Sequence, residues 1–225
     1  MKTIRFLIFT AVLPVFMAAQ SKQQRAVSNF SSLKVSSAIQ VILTMADSES
    51  LYFEAEGEVL PRLKAEVMNG TLVIYADDCI HTSKEVRAYV NAKHLTQIGV
   101  SGAAGIRLTN ALMAPKLSIE SSGAGSMELE LNVKKVDAGI SGAGRIEIKG
   151  LTEVLWLDLS GAANFGARYL KAEEVKVRTT GASHARVTAM GRLKVNASGA
   201  SKVIYSGEPR DKDIFTSGAA TVKAG

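Results

Sequence analysis

The sequence predicts an all-β fold. It is a parallel β-helix, or β-solenoid, with coils of about 19 residues, capped at its N-terminal end by an antiparallel hairpin region. Three observations predict this. A small-residue tetrapeptide recurs seven times, as SGAA at Ser101, SGAG at Ser122 and Ser141, SGAA at Ser160, TGAS at Thr180, SGAS at Ser198 and SGAA at Ser217. Successive copies stand 21, 19, 19, 20, 18 and 19 residues apart, and a fixed period of that size marks stacked coils. Apolar and polar residues alternate on both sides of each copy, the period-two signature of a strand with one buried face.

Aligning the copies shows what each part of a coil does. Three residues upstream of the tetrapeptide stand Ile98, Ile119, Ala138, Leu157, Val177, Val195 and Ile214. Five residues downstream stand Ile106, Met127, Ile146, Phe165, Ala185, Val203 and Val222. Each cycle therefore reads as strand, small-residue corner, strand and return turn. One such coil cannot bury its apolar side alone, so like columns must stack on one another. The corner glycines Gly102, Gly123, Gly142, Gly161, Gly181, Gly199 and Gly218 supply the positive φ of a tight corner. The corner serines are expected to bond nearby backbone or the serine of the next coil. Their regular recurrence speaks for architecture, because catalysis needs one unlike constellation.

The remaining elements follow in chain order. Residues 1–19 read as an export signal: Lys2 and Arg5, then an apolar run of 14 residues from Phe6 to Ala19, then small residues for cleavage. That run is shorter than the roughly 18 apolar residues that a membrane-spanning helix needs. Residues 20–225 then form a single domain. An early cycle sits at Ser36-Ser37-Ala38, with Leu33 and Val35 before it and Val41 and Leu43 after it. Residues 44–96 break the pattern. Asn69-Gly70 between two strand-like runs is a strong hairpin signal, so this stretch reads as an antiparallel insertion that caps the solenoid and covers its strand edges. Residues 97–225 carry the regular repeats.

Little in the composition points to chemistry. The single cysteine, Cys79, cannot form an internal disulfide and reads as a small buried apolar residue. His81, His94 and His184 lack zinc-site spacing, no aspartate stands in a corner as calcium-binding solenoids require, and no cofactor is expected. His184 is the only histidine among the repeats, too little for a serine–histidine–carboxylate triad. Paired carboxylates for sugar hydrolysis are the one enzymatic alternative: Glu120, Asp137 and Asp158 face outward on neighbouring coils, with Glu128 and Glu147 across the corner.

Several segments together resemble the head GIN domain family of auto-transporter adhesins, bacterial envelope proteins common in Bacteroidetes. They are Phe30-Ser31-Ser32-Leu33-Lys34-Val35-Ser36 with Ile39-Gln40-Val41, the hairpin Asn69-Gly70-Thr71-Leu72-Val73-Ile74, the SGAG-like corners, and Tyr205-Ser206-Gly207-Glu208-Pro209. The resemblance runs from about Phe30 to the C-terminal end. It implies a β-solenoid, an exported protein and no catalytic residues. The chain carries no run of alternating membrane-barrel strands, so an adhesin role is expected to use another export or anchoring route.

Charge marks the candidate site. From Ser160 to Arg210 there are nine basic and three acidic residues, against five basic and seven acidic from Lys116 to Asp158. Lys176, Arg178, Arg186, Lys194 and Lys202 stand at outward positions on the late coils and read as one strip for an anionic polymer. In an envelope protein that means an acidic glycan or lipopolysaccharide, not nucleic acid; replacing Lys176, Arg178 and Lys194 by Glu is expected to weaken heparin retention. Trp156, outward between Asp137 and Lys176, is a candidate contact residue unless a return loop covers it. The sequence thus points to an exported, non-enzymatic envelope protein, periplasmic or at the cell surface, that binds a glycan or an envelope protein. The alternative is a solenoid that assembles end to end through its exposed strand edges.

Overall fold

The computed structural model describes residues 20–77, 82 and 84–225. The export-signal reading, Cys79 and His81 lie outside the described residues. Among those described, the only helix is a single 3-10 turn at Leu60–Arg62, and no helix is long and apolar enough to cross a membrane.

Among the described residues, seventeen strands form one continuous sheet that coils on itself. The regular part begins with β8 (Gln97–Val100), β9 (Gly105–Leu108) and β10 (Leu112–Gly123) by order in the chain. It continues through β11 (Ser126–Gly142), β12 (Arg145–Gly161), β13 (Asn164–Thr179) and β14 (His184–Ala197). It ends with β15 (Lys202–Ser206), β16 (Asp211–Thr216) and β17 (Thr221–Ala224). Every pairing among these strands is parallel. Met127 pairs with Ile146, and Ile146 with Phe165, so residues one period apart superpose.

The return turn differs from its expected form. In β11 and β12 the strand runs unbroken from one SGA corner to the next. In β11 the turn is made where Lys134 and Lys135 both face outward: Met127, Leu129, Leu131 and Val133 are buried before them, and Val136, Ala138 and Ile140 after them. Two successive outward residues reverse the in–out phase and bend the strand without ending its ladder. The uneven coil lengths are absorbed on this return side, at register slips between Glu147 and Lys149 and between Ala167 and Lys171.

The N-terminal strands are β1 (Gln20–Arg25), β2 (Ser32–Val35), β3 (Ile39–Met45), β4 (Ser50–Glu56), β5 (Leu63–Met68), β6 (Thr71–Ala76) and β7 (Val86–Ala92). Antiparallel pairing is confined to β1 with β4, β4 with β7, and β5 with β6. The expected antiparallel character of residues 44–96 is therefore only partly realised. β6 and β7 pair in parallel with β2 and β3, so they form a further coil. The Ser36 coil lies between that coil and the one formed by β8 and β9. The reason is the alternation of residues 71–76 and 86–92, which presents the same inward face as the repeats: Leu72, Ile74, Val86, Ala88 and Val90 are all buried.

The core is a set of superposed apolar columns inside the coil. Leu117, Val136, Leu155, Val175 and Leu193 form one; the largest fully buried side chains of the whole core are Phe53 and Phe165. Burying one such aliphatic side chain stabilises the fold by about 1.5–3 kcal/mol. The two ends of the column differ. The N-terminal end carries the antiparallel strands, whereas the last coil places Lys212 in register with buried Leu193. A lysine at an inward position of an edge strand blunts that edge against further stacking.

Candidate functional site

The corners position everything on the outer surface. Each SGA glycine has φ between 65° and 99°, a region that strains any residue with a Cβ. A second demand comes from stacking. A methyl group on Gly142 would stand 2.6 Å from the carbonyl oxygen of Gly123, and one on Gly161 would stand 2.7 Å from that of Gly142. The same carbonyls accept the ladder bonds that carry the sheet around the corner: Ala143 N–H donates to Gly123 at 2.8 Å, and Ala162 N–H to Gly142 at 2.9 Å. The hydroxyls of Ser160, Thr180 and Ser198 donate to carbonyls of the preceding coil, at 3.4, 3.4 and 3.2 Å. Of the two options in the sequence, these corners use the backbone.

Side-chain volume is also matched across the corner. The residue just before the tetrapeptide faces the fourth corner residue of the following coil. Val100 leaves no room for a Cβ on Gly125, and Ser121 leaves none on Gly144. Later, Thr179 and Ser201 share a buried hydroxyl–hydroxyl hydrogen bond of 2.8 Å.

On the face upstream of the corners lies an open groove of about 630 Å³. Its walls alternate two outward columns. One carries Ser118, Asp137, Trp156, Lys176 and Lys194; the other carries Glu120, Gly139, Asp158, Arg178 and Asn196. Gly139 has nothing within 4 Å of where a Cβ would sit, so it forms the floor of a gap between Glu120 and Asp158. Those two residues are two coils apart, roughly 9.5 Å at the spacing of adjacent strands. A neighbouring hollow of about 610 Å³ shares Glu120, Gly139 and Asp158 and extends the groove over the hydroxyls of Ser122, Ser141 and Ser160.

Trp156 is 44% exposed, and no return loop covers it. Lys135, from the coil before, sits 3.6 Å from its ring centroid, and Lys176, from the coil after, sits at 5.0 Å. Both are close enough for cation–π attraction. Lys135 is also held by Asp137 at 3.5 Å, Lys116 by Asp137 at 2.9 Å, and Lys176 by Glu174 at 2.8 Å. The hydrogen bond from Lys176 holds the Glu174 carboxyl below the usual glutamate range, against the opposing effect of partial burial. The indole is thus fixed by a chain of charges running across four coils, from Lys116 to Lys176.

The expected single basic strip divides at the corner. Lys176, Arg178 and Lys194 line the Trp156 groove, whereas Arg186 and Lys202 lie on the strands beyond the corner. Much of the groove's positive charge is compensated. Asp213 holds Lys194 at 2.8 Å and Asp211 holds Arg192 at 2.9 Å. These aspartates belong to the last coil, just past the Ser160–Arg210 interval over which the sequence is basic. Arg178 makes no ion pair among the described residues, although Asp158 is its register neighbour. Gly139, Asn196 and Lys135 were not legible as site residues; Gly139 and Asn196 share one offset from the corner, two residues before it, whereas Lys135 stands on the return bend outside that column.

The groove presents hydroxyl acceptors, one aromatic ring, an amide and one unpaired guanidinium on a rigid sheet. It brings the three carboxylates Glu120, Asp137 and Asp158 together, as their column positions predict. His94 and His184 lie outside it, and the described residues contain no cluster of three or more potential metal ligands.

Parallel coils of about 19 residues stacked on one another define a β-solenoid. The chain is a member of the family described as "Putative auto-transporter adhesin, head GIN domain", whose model matches residues 29–209. Among solved structures, a "putative adhesin" from Bacteroides fragilis is similar at a TM-score of 0.85 and 20% identity, covering 91% of this chain and 96% of its own. A second "putative adhesin", from Parabacteroides merdae, gives 0.76 and 18%, covering 93% and 97%. A "putative lipid binding protein" from Parabacteroides distasonis gives 0.71 and 15%, covering 93% and 98%. At these identities the likeness shows a shared fold. No curated protein matches the sequence.

Proposed function

We propose that this protein is an exported, non-enzymatic binding module of the bacterial envelope, and that its Trp156 groove engages a glycan. The observation that carries the reading is the groove itself: an exposed indole beside Asp158, Glu120, Asn196 and Arg178 over the open floor at Gly139. A sugar ring packs its apolar C–H face against an aromatic face and offers its hydroxyls to carboxylates and amides, and the groove holds groups of each kind. The adhesin descriptions of the family and of its structural relatives support a binding role. Export agrees with the signal-like residues 1–19; the reading covers both a periplasmic and a surface location.

Three carboxylates in the groove and the pairing of Lys176 and Lys194 with acids favour a hydroxyl-rich ligand over a uniformly anionic polymer such as heparin. The end-to-end assembly alternative is disfavoured by Lys212 at the inward edge of the last coil. The test is a glycan array probed with residues 20–225 and with a Trp156→Ala variant, at low and high salt. Binding that survives high salt and is lost in Trp156→Ala is the expected result. Binding unchanged by Trp156→Ala would refute the assignment of the groove.

A further inference from the structure

Beyond the corner, the late coils carry basic residues without partners. Arg168, Arg186 and Lys223 line a recess of about 230 Å³ together with Val187, Ile204, Ser206, Ala224 and Gly225, the last of which packs against Ile204. None of the three cations makes an ion pair among the described residues. This contrasts with the same outward column on earlier coils, where Arg107 is paired with Glu128 at 2.9 Å and Glu147 faces Arg145 at 4.0 Å. The nearest acid along the column is Glu147, whose carboxylate lies over Gly166, the register neighbour of Arg186.

The fold itself brings the three together. Arg186, Ile204 and Lys223 are register partners on β14, β15 and β17, so Ile204 forms an apolar floor between two cations. Arg168 arrives differently. It sits in the slip of β13 against β14 between Ala167 and Lys171, exposed and without a register partner on β14. Its own carbonyl accepts a 2.7 Å hydrogen bond from the Thr188 hydroxyl, which pins the slipped segment. Three like charges around one recess repel each other unless an anion lies between them.

We propose that this recess binds a phosphoryl group. Three cations and the Ser206 hydroxyl suit a tetrahedral group with three terminal oxygens and a charge near −2, better than a singly charged carboxylate. The volume lies below the roughly 300–1,000 Å³ of sites that enclose a whole small molecule, so the recess takes the charged group while the rest of the ligand stays outside. The site lies on the far side of the corner from the Trp156 groove and does not rest on the glycan reading.

The experiment measures binding by titration calorimetry and the thermal midpoint of residues 20–225, with three phosphoryl sources: inorganic phosphate, glucose 6-phosphate and phosphatidic acid in phosphatidylcholine vesicles. Wild type is expected to bind at least one of them and to melt at a higher temperature in its presence. Arg186→Ala and Lys223→Ala are each expected to weaken binding roughly 10- to 100-fold, as loss of a hydrogen bond to a charged group does. Both should melt at or above the wild-type temperature without ligand, because a repulsion has been removed; Arg168→Ala serves as a third variant through the slipped segment. Trp156→Ala should bind as wild type, so loss of the glycan reading leaves this result untouched. A preference for the free ion, the sugar phosphate or the vesicle names the source. No binding of any source by wild type, or equal binding by Arg186→Ala and Lys223→Ala, would overturn the proposal.

Discussion

Replacing Gly142 by alanine should destabilise the solenoid, whereas the same change three residues earlier, at Gly139, should not. Gly142 has φ of 99°, where a Cβ costs about 1–2 kcal/mol. Its methyl group would also stand 2.6 Å from the Gly123 carbonyl oxygen, the acceptor of the ladder bond from Ala143. That oxygen belongs to the neighbouring corner and cannot swing away as a flexible side chain could, so the overlap adds about 1–3 kcal/mol of overpacking. Restricting the unfolded chain returns about 0.4–1 kcal/mol, which leaves a net loss of about 1–5 kcal/mol for Gly142→Ala. Gly139 meets none of these obstacles: its φ is not positive and no atom lies within 4 Å of the added carbon. Gly139→Ala should therefore gain the unfolded-state term alone, about 0.4–1 kcal/mol. Urea unfolding followed by the fluorescence of Trp156, the chain's one tryptophan, reads both variants from an adjacent coil. Equal midpoints for the two variants would refute the argument that stacking, and not glycine content, demands the corner glycine.

Two further outcomes follow from the side chains. Thr179→Val and Ser201→Ala should each cost about 1–3 kcal/mol, because each strands one partner of a buried hydroxyl pair, while the double variant should cost less than the sum; additive losses in a double-mutant cycle of urea midpoints would contradict this pairing. The Glu174 carboxyl is held below its ordinary range by Lys176, so the stability it lends is present above the ordinary glutamate pKa and is lost as the pH falls through the lowered value. Glu174→Gln should flatten that acid limb slightly, as expected for an exposed pair, and an NMR titration of the Glu174 carboxyl that shows an ordinary midpoint would contradict the contact.

The serine corners, the inward columns and the exposed edge of the last coil follow from spacing alone. Trp156 was readable as outward, but its grip by Lys135 was not, because Lys135 occupies the return bend and reaches the indole diagonally across coils. Lys194 read as part of a free basic strip because its partner, Asp213, lies 19 residues further on. The coil formed by β6 and β7 was hidden for a related reason: its strands carry the right alternation but lack the SGA corner that marks the others.

The sequence by itself determined the period, the side of each strand that faces inward and the need for glycine at each corner. These properties repeat in every coil and depend only on neighbours along the chain and one period away. Tertiary structure alone decided which outward residues share a face. The corner turns the chain between Arg178 and Arg186, so one apparent strip lies on two faces. The register slip at Ala167 then moved Arg168 to the second of them. Charges meet across coils, through stacking and local irregularity, and a fixed offset within a repeat encodes neither.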